Sequence, residues 1–210
     1  VASEPDDPQT LLALGDFYAR QGPEKHALAL TQYEKALALT DHKAAPLVRM
    51  VELHLTAAHR DAAELLAAED ALERFRALAA DDPLLFYLDG KVELARGRAE
   101  EAVAALTTYV GRRELDAAGH YYLARALRAS GKPEDARERL LGAVRLDPDR
   151  QAFQLELATL DYDLGVKAFR EGRFEVAQSL FAAAGAAGGG QPRARLLLAG
   201  AGGKLPRPDA

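Results

Sequence analysis

The 210-residue sequence contains no cysteine and no tryptophan. Without thiols there is no disulfide framework, no thiolate metal ligand and no cysteine nucleophile, and the redox compartment leaves no mark on the chain. Isoleucine and asparagine are missing as well, while alanine and leucine dominate. Both missing residues have AT-rich codons, so the composition points to a high-GC bacterial genome. There is no basic excess: 27 Lys and Arg stand against 32 Asp and Glu, for a net charge of -5. That balance argues against wholesale nucleic-acid binding, because neutralising phosphates needs a basic face. No window approaches the ~20 uninterrupted apolar residues of a membrane span, so direct membrane insertion by this chain is not expected. The remainder, 49% hydrophobic and 28% charged, is ordinary globular composition. The length allows one or two compact domains, or one array of repeats.

What the chain does contain is a recurring pattern. The stretch "LARALRASGKPEDARERLLGAVRLDP", which opens at Leu123, has looser copies in "LGDFYARQGPEKHALALTQYEKALAL" from Leu14 and "GVKAFREGRFEVAQSLFAAA" from Gly165. Each reads as two amphipathic helices, A and B, with apolar residues at helical spacing. In one unit Leu123, Ala124 and Leu127 mark a face of helix A, and Ala136, Leu140, Ala143 and Leu146 a face of helix B. A glycine follows helix A at Gly22, Gly97, Gly131 and Gly172. That position suits the left-handed backbone that ends a helix, and Pro133 suits the first turn of the next one. Gly97 and Gly131 lie 34 residues apart.

This pattern resembles the tetratricopeptide repeat (TPR) family, whose period is about 34 residues. The resemblance implies an all-α fold, a TPR-type α-solenoid of about five helix-turn-helix repeats with a C-terminal capping helix. The expected organisation is an acidic tether over 1–7, repeats over about 8–41, 44–82, 83–115, 117–148 and 150–186, and a Gly-rich linker, short capping helix and tail over 187–210. The first unit carries Leu11, Leu14, Gly15, Tyr18, Ala29, Tyr33 and Ala36, with two extra residues in its turn near Pro23. The third departs at Asp89 and Glu93, where Leu and Tyr would be usual. The second has no turn glycine, and its excess length predicts a lengthened B helix. Gly131 and Gly172 are 41 residues apart. The extra seven residues are about two helical turns, so helix A of the fifth unit should begin near Arg150 and project. Gly15, Gly90, Ala124 and Gly165 are expected where helices A and B approach most closely.

No catalytic constellation stands out, and the chain reads as a non-enzyme with no cofactor and no metal. "GAGGKL" has Leu205 where a phosphate-binding loop needs Ser or Thr after its lysine, and no strand precedes it. The five histidines, His26, His42, His54, His59 and His120, form no metal-ligand spacing. His54 and His120 fall on packing positions. In the TPR family the concave face is lined by helix A, and carrying its positions over gives a ladder of Leu12, Val48, Tyr87, Tyr121 and Tyr162, and a second of Asp16, Glu52, Lys91, Arg125 and Val166. Arg128, Phe169, Arg20 and Arg170 join them. The groove then reads as acidic and aliphatic at its N-terminal end, and tyrosine-rich and basic at its C-terminal end. Tyrosine and arginine dominate binding hot spots. The partner-binding residues expected are Tyr87, Lys91, Tyr121, Arg125, Arg128, Tyr162, Phe169 and Arg170, with the three tyrosines stacked one above another. The alternative is that these tyrosines pack helices and the cations are simply solvated.

The expected function is a non-enzymatic scaffold that binds a protein or peptide segment, acidic or aromatic in character, in bacterial cell-envelope or secretion-system assembly. Two rivals stay open: a self-assembling scaffold in which the projecting helix enters a neighbour's groove, and a regulatory TPR domain of a larger enzyme. The opening "VASEPDDP" at Val1 suggests sequence removed upstream, from a processed exported protein or a longer chain. The style leans to the periplasm or cell envelope, with the cytoplasm as the alternative. Chaperone-tail clamps of the TPR family use asparagine side chains, and this chain has none.

Overall fold

Small residues set the geometry of each hairpin. In the computed structural model, which describes residues 7–59 and 61–187, a Cβ added to Gly15 would lie 2.3 Å from Tyr33 Cε1. At Gly90 it would lie 2.3 Å from Leu106 Cγ, and at Gly165 2.6 Å from Phe181 Cε1. Ala124 is buried at the corresponding place. Each contact joins an A helix to the B helix that follows it, so two helices close on one another where one of them has almost no side chain.

Ten α-helices account for the regular structure of the described residues, with no strand among them. They are α1 (Pro8–Arg20), α2 (His26–Leu39), α3 (Ala44–Ala57), α4 (Ala62–Leu78), α5 (Pro83–Ala95), α6 (Ala99–Arg112), α7 (Ala117–Ala129), α8 (Pro133–Leu146), α9 (Gln151–Arg170) and α10 (Phe174–Ala187). Consecutive A and B helices pack as antiparallel hairpins, α1 with α2 through to α9 with α10. The expected helical repeat fold is therefore present. The chain forms two compact units that divide after Arg112. In the first, α2 packs on α3 and α4 on α5, while the A helices α1, α3 and α5 touch in succession. In the second, α8 packs on α9.

Helix starts follow local chemistry. Asp7, Asp61, Asp82 and Asp116 cap α1, α4, α5 and α7, each side chain accepting from a backbone N–H in the first turn. Asp7, placed with the tether by the sequence, is thus the cap of the first helix. All four turn glycines adopt positive φ, near 78° at Gly97, Gly131 and Gly172 and 118° at Gly22. The insertion near Pro23 forms a single 3-10 turn over Pro23–Lys25. The unit without a turn glycine has the longer B helix that its sequence predicts, 17 residues in α4 against 14 in α2, α6, α8 and α10.

The first unit buries Tyr33, Leu47, Val51, Phe75 and Leu88 in one continuous core. The second buries Leu123, Leu140, Leu160 and Phe181. Helix α9 begins after Arg150, as its spacing predicts, and runs for 20 residues. Its added turns do not project. Phe153 is 5% exposed and stacks on Tyr121 with ring centroids 4.8 Å apart, and Leu157 is buried beside it. Burying a phenylalanine and a leucine stabilises more than exposing them to a partner, roughly 1.5–3 kcal/mol for each. The capping helix expected within 187–210 falls almost wholly outside the described residues. No helix of the described residues is long and apolar enough to cross a membrane.

Candidate functional site

In each unit the A helices are dense with charge, and their carboxylates are spoken for. In the first unit Asp16 of α1 accepts from the Tyr33 hydroxyl at 2.8 Å and from Arg49 Nε of α3 at 2.9 Å. Burial, reinforced by that hydrogen bond to Asp16, pushes the Tyr33 hydroxyl well above the usual phenol range. Glu52 of α3 accepts from Lys91 Nζ of α5 at 3.0 Å. Lys91 also lies 5.0 Å from the centre of the Tyr87 ring, and its side chain is only 11% exposed. Tyr87 packs in turn on Tyr109, with centroids 5.1 Å apart. The two residues that depart from the repeat pattern are paired as well. Asp89 accepts from Arg76 at 2.6 Å, and Glu93 lies beside Arg96 and Arg98. Burial raises the Asp89 carboxyl above its ordinary range, with the Arg76 guanidinium acting against that shift.

The second unit repeats the arrangement. Arg128 of α7 donates to Glu156 and to Asp163 of α9, each at 2.8 Å. Asp161, 2% exposed, is bound by Arg137 of α8. Burial raises the Asp161 carboxyl, and the hydrogen bond and charge of Arg137 only partly offset this. Lys167 is paired with Glu134, whose carboxyl that hydrogen bond lowers. Arg125 is different. It sits 5.9 Å from the Tyr121 ring centre and 5.6 Å from that of Tyr122, a cation held on two aromatic faces.

These contacts revise the sequence reading in three places. The A helices of the first unit are not acidic in effect, because Arg49 and Lys91 neutralise Asp16 and Glu52. Lys91 and Arg128, expected as open cations, are held by carboxylates of the same unit. The tyrosines do not stack on one another within the second unit: Tyr121 pairs with Phe153 and Tyr162 with Phe181. Phe169 meets Phe174 edge-on at 5.3 Å. Tyr162 and Arg170 line a shallow concavity of about 570 Å³ on α9, together with Asp163, Val166, Lys167 and Glu171. A second concavity of about 310 Å³, which sequence reasoning missed, lies in the first unit between Asp16, Arg20, Tyr33, Arg49, Glu52 and Thr56. Arg49 is its unforeseen member; its position one repeat after Asp16 was the available signal.

Every carboxylate of the five A helices thus has a cationic partner inside its own unit. The A-helix cations that pair with no carboxylate among the described residues are Arg20, Arg125 and Arg170. The described residues contain no cluster of three or more His, Cys, Asp or Glu able to hold a metal ion.

Residues 87–150 and 121–160 match the family profile described as tetratricopeptide repeat. No curated protein matches the chain in sequence. Several solved structures share its fold. PilF of Pseudomonas aeruginosa is 18% identical with a TM-score of 0.66, over 94% of this chain and 90% of that one. TTC0263 of Thermus thermophilus, described as a thermophilic TPR protein, is 19% identical with a TM-score of 0.63, over 92% and 98%. YrrB, described as a TPR protein with an unusual peptide-binding site, is 20% identical with a TM-score of 0.57, over 95% and 93%.

Proposed function

We propose that the chain, which matches the tetratricopeptide repeat profile over residues 87–150 and 121–160, is a non-enzymatic scaffold whose second unit holds an acidic segment of a partner protein on its A-helix face. One observation carries this reading. The ion pairs within that unit consume every carboxylate of the face and leave Arg125 and Arg170 over, although the chain as a whole has a net charge of -5. A partner therefore meets cations on that face, and the cation best prepared to receive it is Arg125. The rings of Tyr121 and Tyr122 hold its guanidinium in place, which lowers the ordering cost of pairing with an incoming carboxylate. Tyr162, Val166 and Phe169 are half-buried on α9 and supply apolar contact for aromatic or aliphatic side chains of the same segment.

The place of action belongs to the proposal too. The alanine- and leucine-rich composition without Ile or Asn supports a bacterial source. Together with the fold shared with PilF of Pseudomonas aeruginosa, it supports a scaffold in cell-envelope or secretion-system assembly.

The test is a binding screen of the purified chain against an array of short segments that vary in charge and aromatic content. Segments carrying Asp or Glu beside an aromatic or aliphatic residue should be enriched. The enrichment should disappear in the double variant Arg125→Gln, Arg170→Gln, with thermal stability retained. Equal enrichment of neutral or basic segments would overturn the reading.

A further inference from the structure

A second site stands on different residues, around α8. Arg139, Gly142 and Arg145 follow one another at intervals of three, which places them along one side of the helix. They line a concavity of about 460 Å³ together with His120 of α7, Glu138 and Leu141. Both arginines are exposed, and neither pairs with a carboxylate among the described residues. Gly142 opens the notch between them. A Cβ there would lie 3.5 Å from His120 Nδ1, and its three nearest atoms all belong to that imidazole ring.

The imidazole has an assigned hydrogen and an unanswered lone pair. Nε2 lies 2.8 Å from the backbone oxygen of Glu114. A carbonyl oxygen only accepts, so Nε2 carries the hydrogen and donates it. In the neutral ring Nδ1 is then an acceptor. That atom is buried and has no hydrogen-bond partner. A buried acceptor left unanswered is destabilising, and a ligand that donates to it would remove that cost.

We propose that this notch binds a phosphomonoester-type oxyanion as its monoanion. Two guanidiniums call for an anion with several acceptor oxygens, and the Nδ1 lone pair calls for a hydrogen on that same anion. A phosphomonoester supplies both, because its second ionisation lies near a pKa of about 6. About half of it keeps its P–OH near pH 6 and about a tenth at pH 7, and that form donates to Nδ1 while the remaining oxygens accept from Arg139 and Arg145. A carboxylate or a sulfate offers no hydrogen under those conditions. Glu138 on the rim opposes an anion, but one carboxylate stands against two guanidiniums. None of these residues belongs to the set proposed to hold the partner segment.

The experiment is a titration of the full chain with inorganic phosphate near neutral pH, at ionic strength held constant with chloride. It is followed by the NMR signals of the His120 ring and by calorimetry. Saturable binding is expected, with the His120 ring signals shifting in step. O-phosphoserine in a parallel titration separates the sources: binding of both points to a phosphorylated side chain or metabolite, and binding of inorganic phosphate alone to the free ion. Arg139→Gln and Arg145→Gln should each weaken binding about tenfold, the loss of one charge-assisted hydrogen bond. Gly142→Ala fits the helix without a clash and should keep or raise thermal stability, yet it covers Nδ1 and should abolish the His120 response. The proposal is overturned if phosphate produces no saturable response, if sulfate binds as tightly as phosphate, or if Gly142→Ala binds unchanged.

Discussion

At the scale of single residues, four positions carry consequences that can be measured separately. Gly90 has room for a hydrogen and nothing more, since its Cβ would meet Leu106 Cγ at 2.3 Å. Gly90→Ala should therefore lower thermal stability by about 1–3 kcal/mol, the usual cost of overpacking, despite alanine's better helix propensity. An unchanged melting temperature would mean that the hairpin closes elsewhere. Tyr121 has two roles that its variants can separate. Its ring is stacked on the buried Phe153, so Tyr121→Ala should destabilise the fold by about 2 kcal/mol, a stacked aromatic pair adding roughly 0.5–1.5 kcal/mol to the buried area. Arg125→Gln should leave the melting temperature within error, because the guanidinium is exposed, while weakening an acidic partner. Asp161 makes a pH prediction. Its carboxyl is raised by burial, so above the unfolded value of about 3.9 the folded chain keeps a proton that the unfolded chain has shed. Stability from this group is present at acid pH and lost as the pH rises through the folded value. The melting temperature of the native chain relative to Asp161→Asn should therefore rise on acidification through that window. A constant difference would show that Arg137 compensates the carboxylate fully.

At the scale of elements, length differences have structural uses. Helix α9 is 20 residues long where its counterparts α1, α5 and α7 have 13. The added turns bring Phe153 onto Tyr121 and Glu156 onto Arg128. They brace the A-helix face that carries Arg125. Phe153→Ala should cost about 3–5 kcal/mol, as expected for truncating a buried phenylalanine. Denaturant unfolding of the variant measures it, and a loss below about 1 kcal/mol would return the extra turns to the role of a free, projecting arm. The longer helix α4 marks the unit without a turn glycine. There Asp61 caps α4 by accepting from the Ala63 N–H at 2.9 Å.

At the scale of the whole molecule, net charge and local charge have opposite signs. The chain carries -5 overall, yet the A helices of the second unit keep Arg125 and Arg170 without carboxylate partners among the described residues. Selection of an acidic segment therefore rests on the local field of these cations and not on the charge of the whole chain. Binding of such a segment should weaken as salt is raised, because exposed charges are screened, with the change mainly in association rate. Surface binding kinetics at two salt concentrations would show it. A salt-independent affinity would shift the contact to the apolar side chains of α9.

The sequence alone determined the repeat. Helix period, turn glycines and small residues at the closest approach are local features, each governed by backbone sterics or by one neighbouring helix. Gly15, Gly90 and Gly165 could be placed through the resemblance to the repeat family, and the long α4 and the start of α9 from spacing. The ion pairs were decided by tertiary structure. Arg49 meets Asp16 across 33 residues, Lys91 meets Glu52 across 39, and Arg128 meets Asp163 across 35. Each spans about one repeat, and repeat register brings such residues near one another. Register does not say which of several rotamers a long side chain takes, or which carboxylate it reaches. That choice belongs to packing: Lys91 turns to Glu52 over the ring of Tyr87, and Arg125 stays on its two tyrosines. Whether a cation is consumed within the fold or left for a partner follows from that choice.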